Sequence, residues 1–223
     1  GLKPESTYYI YSQTKPEITG EAPVLGKSLE VITKEYYKHL QGRGIAYGSI
    51  QKHITRLSYI FKQVIRKYEE KDLCAMIEIW NEIVEEGNAF PQEEFLTPES
   101  GADFFAEQTY TGVAVDSETE KIYGLYILHP NNIGRCGHIC NASYAVSSHS
   151  RGLHIGEKLV LDCIEKGREH GFSVLQFNAV VATNIHARHL YERLGFIQLG
   201  TIPKGFRMKD GYYEDICPYY RAL

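Results

Sequence analysis

The sequence predicts an α/β fold, a mixed sheet with helices on both faces, behind a partly helical N-terminal extension. Three observations carry that prediction. Strand-like and helix-like segments alternate from about 138 to 221. Earlier, apolar segments at about 109–115 and 121–129 flank a polar turn running from Asp116 to Lys121, the pattern of an antiparallel hairpin. Between extension and hairpin, Leu73, Met76, Ile77, Trp80, Ile83 and Val84 recur at helical spacing and form one apolar stripe.

In chain order, the first 23 residues mix Pro, Gly and Tyr without a sustained period. A helix is expected at about 27–41, with Leu29, Ile32, Tyr36 and Leu40 on one side and Gly42 and Gly44 as the stop. A second is expected at about 49–58. Residues 1–58 therefore read as an extension packed on a main domain, 59–223. The segment 60–68 is short, β-branched and aromatic and reads as a strand, although its apolar residues also fit a continued helix. Asp72 is expected to cap the helix that Gly87 ends. Thr97-Pro98 opens a helix at 97–108, since proline tolerates the first helical position. Then follow a strand at 138–147, a helix at 154–169, a strand at 173–181, a helix at 184–194, a strand at 196–202 and a last strand at 213–221.

Composition narrows the function classes. The 223 residues are 43% hydrophobic and 23% charged, with a formal net charge of −4 and scattered Lys and Arg, which argues against a phosphate-tracking nucleic-acid surface. The longest apolar runs, such as 179–182, fall far short of the ~18 residues of a membrane span. No charged start followed by an apolar stretch suggests a secretory signal. Five cysteines are an odd, modest count that suits a reducing, cytoplasmic setting. Cys136, His138 and Cys140 alternate and are expected on one strand face. A zinc site wants four ligands at wider spacing, so no metal is expected there. His186 and His189 lie off the apolar stripe of their helix and should be exposed.

Two segments carry the chemistry. After the strand ending at Val146, Arg151, Gly152 and Gly156 bracket a short loop that opens a helix. The first N–H groups of a helix lack internal partners and favour a phosphate. On its own the loop also reads as an ordinary strand–helix connection. In the second segment, 182–196, Ala187, Leu190, Tyr191 and Leu194 form a stripe closed by Gly195.

Together these segments resemble the GCN5-related N-acetyltransferase (GNAT) superfamily. Its Arg/Gln-x-x-Gly-x-Gly/Ala loop matches Arg151 to Gly156. Its later Asn…Ala…Leu-Tyr-Glu-x-Leu-Gly-Phe run matches Asn184, Ala187, Leu190, Tyr191, Glu192, Leu194, Gly195 and Phe196. The segment 65–82 is similar to its first strand and helix, so the likeness spans about 59–222. One departure is His154 at the central loop glycine, where a side chain must fit without glycine's backbone freedom. It could donate to a phosphate when protonated, or simply point to solvent.

The resemblance implies a GNAT fold and direct transfer from acetyl-CoA to a neutral amine. Acetyl-CoA would lie along Tyr144, Ala145 and Val146, with its pyrophosphate on Arg151, Gly152, Leu153, His154, Ile155 and Gly156 and its pantetheine near Asn184. A backbone N–H near Val146 would hold the oxyanion. Tyr191 would protonate the departing thiolate, since a phenol of pKa ~10 can protonate a thiolate of pKa ~8.5. A core role for Tyr191 and a plain helix cap for Asn184 are the structural alternatives. No general base stands out: Glu85 and Glu86 end the first helix, where a solvated end explains them, and a base acting through water is open.

Two asparagines stand inside apolar strands, Asn141 and Asn178, and each needs partners for donor and acceptor. A protein-only network would suffice. The segments 135–146 and 176–184 also resemble the GNAT subgroup of fungal L-azetidine-2-carboxylate acetyltransferase, which implies that Asn141 and Asn178 bind a small imino-acid-like substrate. The sequence departs from that subgroup in having Tyr191 in place of tryptophan and in its N-terminal region. Phe90 lies where the superfamily forms a pocket wall. The expected partner is thus a small-molecule amine, with no nucleic acid and no membrane. A protein or peptide acceptor and a non-catalytic acetyl-CoA sensor are the rival readings, and residues 1–58 could serve a homodimer.

Overall fold

The computed structural model describes residues 29–150 and 152–223. The expectations for the first 28 residues and for Arg151 lie outside the described residues. The chain divides into two compact units, Gly1–Ile54 and Thr55–Leu223. Helix α1 (Leu29–Gly42) is followed by Gly44 at φ 68°, a left-handed conformation that suits glycine, and then by α2 (Tyr47–Lys62). The strand expected from residue 60 starts only at Gln63, because α2 continues through Lys62. The local pattern fits either state; pairing decides, since only Gln63–Lys67 (β1) finds register with the next strand, Gln63 opposite Asp116 and Lys67 opposite Gly112.

A second correction concerns Asp72. It precedes α3 (Leu73–Glu86) but makes no side-chain cap to it. Its carboxylate instead receives two Arg66 hydrogen bonds, at 2.6 and 3.0 Å, and the Glu69 N–H at 2.8 Å, closing the 3-10 turn Glu70–Asp72. The apolar stripe of α3 is buried as its spacing predicts, at Met76, Ile77, Trp80 and Val84, and Gly87 ends the helix at φ 62°. Helix α4 (Pro98–Ala106) opens on a reciprocal cap: the Ser100 N–H donates to Thr97 Oγ1 at 3.1 Å and the Thr97 N–H to Ser100 Oγ at 2.9 Å.

Strands β2 (Tyr110–Asp116) and β3 (Ile122–Pro130) form the expected hairpin; β4 (Ile139–Val146), helix α5 (Ile155–Glu169), β5 (Val174–Val181) and helix α6 (Ile185–Arg193) follow. The single strand expected at 196–202 is two, β6 (Ile197–Gln198) and β7 (Ile202–Arg207). Both lie against the ten-residue β8 (Tyr213–Ala222). The chain turns away between them while the Leu199 N–H is held by the Pro218 carbonyl. The eight-stranded sheet runs β1-β2-β3-β4-β5-β8-β6, with β7 also on β8. Every pairing is antiparallel except β4 with β5.

Alternation along the strands sends side chains to two cores. On one face Tyr126, Leu128, Cys140, Leu175, Phe177 and Tyr219 pack with Leu159 and Cys163 of α5. On the other, Val113, Leu125, Ile127 and Ala145 pack with Met76 and Trp80 of α3 and Phe105 of α4. The helices thus cover both faces, as the sequence predicts. Cys136, His138 and Cys140 do not share a strand face: β4 begins at Ile139, and Cys136 lies exposed in a 3-10 turn. Among the described residues no helix is long and apolar enough to cross a membrane.

Candidate active site

The sheet is open at its centre. β4 and β5 pair only at Ile139/Val174 and Cys140/Leu175, yet β4 runs on to Val146 and β5 to Val181. The Ser147 N–H donates to the Tyr123 carbonyl at 3.0 Å, so by strand alternation the backbone groups of Val146 and Tyr144 point away from β3, into this opening. A run of backbone donors and acceptors without a ladder partner is there to be met by an extended polar ligand.

The end of β4 is pinned from behind by Gly124. A Cβ there would stand 2.7 Å from the Ala145 carbonyl oxygen and 3.2 Å from the Val146 Cα. The loop that follows leads into α5, whose own ladder starts with the Lys158 N–H on the His154 carbonyl at 3.2 Å. The N–H groups of Ile155, Gly156 and Glu157 therefore have no intrahelical acceptor. Gly152 takes φ 79° and His154 φ 59°. His154 accepts the left-handed conformation usually left to glycine, and its exposed ring lies 3.6 Å from Glu157. Glu157 is also paired with Arg193 of α6 at 2.8 Å, which offsets an acidic side chain in the first turn of α5. Leu153 and Ile155 anchor the loop in the core.

Tyr191 touches both strands that border the opening. Its ring centroid lies 4.5 Å from Phe177 of β5 and 6.5 Å from Tyr144 of β4. It is also a core residue, packed near Phe196 and Tyr219, so the two readings of this tyrosine describe one position. Burial, with the Cys163 thiol nearby, raises its phenol above the usual value, so it holds its proton. Burial also raises Tyr144, whose hydroxyl is enclosed beside Cys163 and has no hydrogen-bond partner in good geometry among the described residues. The Cys140 thiol is pushed up to about 12 by burial, and Cys163 is raised by the same cause. Both stay protonated, which disfavours either as a covalent nucleophile and fits direct attack.

On the opposite face, Asn141 and Asn178 are brought together by a residue the sequence reading did not single out. Asn131 Oδ1 accepts from Asn178 Nδ2 at 2.7 Å and from Asn141 Nδ2 at 3.4 Å. Asn131 Nδ2 donates back to Asn178 Oδ1 at 3.3 Å, and Gln176 Nε2 adds a bond to the same oxygen at 2.9 Å. Asn178 lies in a bulge, where Asn178 and Ala179 stand opposite the single residue Pro218. Such a bulge re-aims side chains beside a site.

The remaining predicted residues fall as follows. Asn184 caps α6, its Oδ1 accepting the Ala187 N–H at 3.2 Å. Phe90 is packed into the core with its ring 4.4 Å from Trp80. Glu85 is ion-paired with Lys209, and Glu86 is exposed. His186 and His189 are exposed, as expected. Glu82, not singled out from the sequence, accepts the Ser148 N–H on both carboxylate oxygens, at 3.3 and 3.4 Å. A polar cleft of about 480 Å³ lies beside it, lined by Ala75, Glu78 and Ile79 of α3 and by Ser147 and His149. It is separate from the Asn141–Asn178 cluster.

The opening between β4 and β5 leads to a glycine-containing loop and a helix N-terminus, and comparison with known proteins places the chain in a family. The profile of the acetyltransferase (GNAT) family matches residues 75–196. The chain is 32% identical over 165 residues to the N-acetyltransferase aca1 of Schizosaccharomyces pombe, covering 66% of this chain and 79% of that protein. This chain belongs to the GNAT family. It is therefore an N-acetyltransferase, an acyl-transferring enzyme. Among solved structures, a GCN5-related N-acetyltransferase from Kribbella flavida superposes with TM-score 0.68 at 31% identity, covering 73% of this chain and 98% of that one. A GNAT phosphinothricin acetyltransferase from Sinorhizobium meliloti, solved in complex with acetyl-CoA, shares the fold with TM-score 0.67 at 22% identity, covering 73% and 89%. In this GNAT chain the family match takes in the β4 end, the 152–156 loop and Tyr191 together.

Proposed function

We propose that this GNAT enzyme moves the acetyl group of acetyl-CoA to the amine of a small, amino-acid-like molecule. Acetyl-CoA is its co-substrate. The chain's own groups fit it: the unladdered backbone groups of Tyr144 and Val146, on either side of Ala145, suit the pantetheine amides, and the loop and helix N-terminus at residues 152–156 suit a pyrophosphate. Arg151, outside the described residues, is assigned a phosphate from the sequence. Asn184, whose oxygen caps α6, keeps its amide nitrogen for the pantetheine.

In this reading the backbone N–H groups facing the opening near Val146 hold the carbonyl oxygen as charge develops on it. The amine lone pair forms the C–N bond as the C–S bond breaks; the amine gives up one proton to water, and Tyr191 supplies the proton that the departing sulfur takes. A phenol kept protonated by burial is ready for that step at neutral pH.

The observation that carries the substrate class is the pair of amides, Asn141 and Asn178, whose Nδ2 groups converge on one oxygen. Two amide donors converging beside the opening suit a carboxylate, with the amine turned toward Val146. Phe90, expected at the pocket wall, is instead buried against Trp80 and is assigned no contact with the substrate. Acetyl-CoA-dependent thiol release tests the reading, run over azetidine-2-carboxylate, proline, common amino acids, a polyamine and a peptide. Turnover confined to small amino or imino acids supports it; turnover on the peptide alone overturns it.

A further inference from the structure

We infer that Asn131 is the positioning residue that sets this enzyme's preference for a carboxylate-bearing substrate, by holding the Asn141 and Asn178 amides in their donor orientation. The inference rests on the substrate reading above and names the residue that enforces it. Asn131 stands just past β3 on the β3–β4 connection, its backbone N–H fixed on the Ile139 carbonyl at 2.8 Å. Its side chain is the only link the described residues provide between Asn141 and Asn178.

An unrestrained asparagine side chain can present either its carbonyl or its NH2 group to a ligand, because the two ends are nearly isosteric. Here the choice is dictated. Asn131 Oδ1 takes one hydrogen from Asn141 Nδ2 and one from Asn178 Nδ2, so both residues must turn their nitrogens toward it. Asn178 Oδ1 is occupied on its other side by Asn131 Nδ2 and Gln176 Nε2. Each primary amide nitrogen carries two hydrogens, and one on each remains for a ligand. The cluster thus offers donors, which a carboxylate accepts and which a neutral carboxamide matches less well.

The test compares kcat/KM for proline and prolinamide, and for azetidine-2-carboxylate and its amide, in the wild-type chain and in Asn131→Asp and Asn131→Ala. Acetyl-CoA affinity and melting temperature are measured alongside. Aspartate keeps the two acceptor bonds but adds a negative charge and loses the donor to Asn178. The expected result is a carboxylate-over-carboxamide ratio that falls about 10- to 100-fold in Asn131→Asp and about 10-fold in Asn131→Ala, carried by KM, with acetyl-CoA affinity within twofold. A wild type that prefers the carboxylate, with variants that keep its ratio, overturns the role of Asn131 alone. Equal losses on acid and amide mark a merely structural role and also overturn it. A wild type with no preference for the acid overturns the substrate reading and this inference with it.

Discussion

The Glu82 carboxylate receives the Ser148 N–H on both of its oxygens, at 3.3 and 3.4 Å, and so ties α3 to the loop that follows β4. Ser148 is two residues beyond Val146, within ~7 Å of it along any chain path. A helix on one face of the sheet thereby holds the strand end that borders the opening. Ala145 is buried against the same helix, which adds an apolar contact to the polar one.

Removing that tie should loosen the cofactor site more than it unfolds the protein. Glu82→Ala is expected to weaken acetyl-CoA binding by about 10-fold, the worth of one hydrogen bond to a charged group, ~1.5 kcal/mol. Glu82→Gln keeps a carbonyl acceptor for Ser148 and should lose less than half of that. Isothermal titration at pH 7 checks both; equal affinity in all three proteins would show that the tie is not felt at the site.

Tyr191→Phe removes the assigned acid while keeping the ring contacts with Phe177 and Tyr144. The expected outcome is a fall in kcat of about 100-fold or more with acetyl-CoA affinity unchanged. The sign of the pH effect follows from the raised phenol: a group whose proton is held more tightly in the folded protein stays an acid at higher pH. Wild-type kcat should therefore show no alkaline fall near pH 10 from this residue. A limb there that vanishes in Tyr191→Phe contradicts the raised phenol, whereas a kcat unchanged in Tyr191→Phe contradicts the acid assignment.

Gly124→Ala tests the backing of the site from the β3 side. The added methyl meets the Ala145 carbonyl, a backbone atom that cannot swing aside, at 2.7 Å. Overpacking of this kind costs about 1–3 kcal/mol, and for a chain of this size each kcal/mol lowers the melting temperature by about 2–4 °C. A lower melting temperature together with weaker acetyl-CoA binding is expected. Calorimetry and titration on one preparation would separate the two.

Arg66 and Asp72 govern stability at the start of α3. Burial by itself raises the Asp72 pKa, but the Arg66 hydrogen bonds and the Glu69 N–H outweigh it and leave the group below its ordinary value. A depressed folded pKa means the stabilisation is present above the unfolded pKa of ~3.9 and is lost as pH falls through the folded one. Urea midpoints of wild type and Asp72→Asn should therefore differ at pH 7 and converge toward pH 3. Arg66→Ala leaves a carboxylate of 4% exposure without its cation and is expected to cost about 3–5 kcal/mol at pH 7.

Much of this molecule is legible in one dimension. The α3 stripe, the Gly87 stop, the Thr97 cap and the β2–β3 hairpin are written in contiguous residues, because each depends on local periodicity, a side-chain cap or a backbone angle. The loop from Arg151 to Gly156 and the Tyr191 run are legible for a related reason, since a helix N-terminus and a helix stripe are short-range features. The end of α2 at Lys62 was not legible, as the same apolar residues suit helix or strand and only register with β2 chooses. Nor was the break between β6 and β7, which depends on the long β8 offering two separate partners.

The candidate site divides along the same line. Sequence alone determined most of the order of elements and the family. Tertiary structure decided which polar groups meet. Asn131 reads as one of two asparagines in a Pro-Asn-Asn turn, and nothing local reveals that its side chain spans 47 residues to Asn178. Glu82 reads as one of several acids on an exposed helix face, and only the packing of α3 on the sheet brings it 66 residues along the chain to Ser148. Hydrogen bonds require a distance near 3 Å between atoms, a condition on three-dimensional position that residue type and spacing do not encode for partners so far apart.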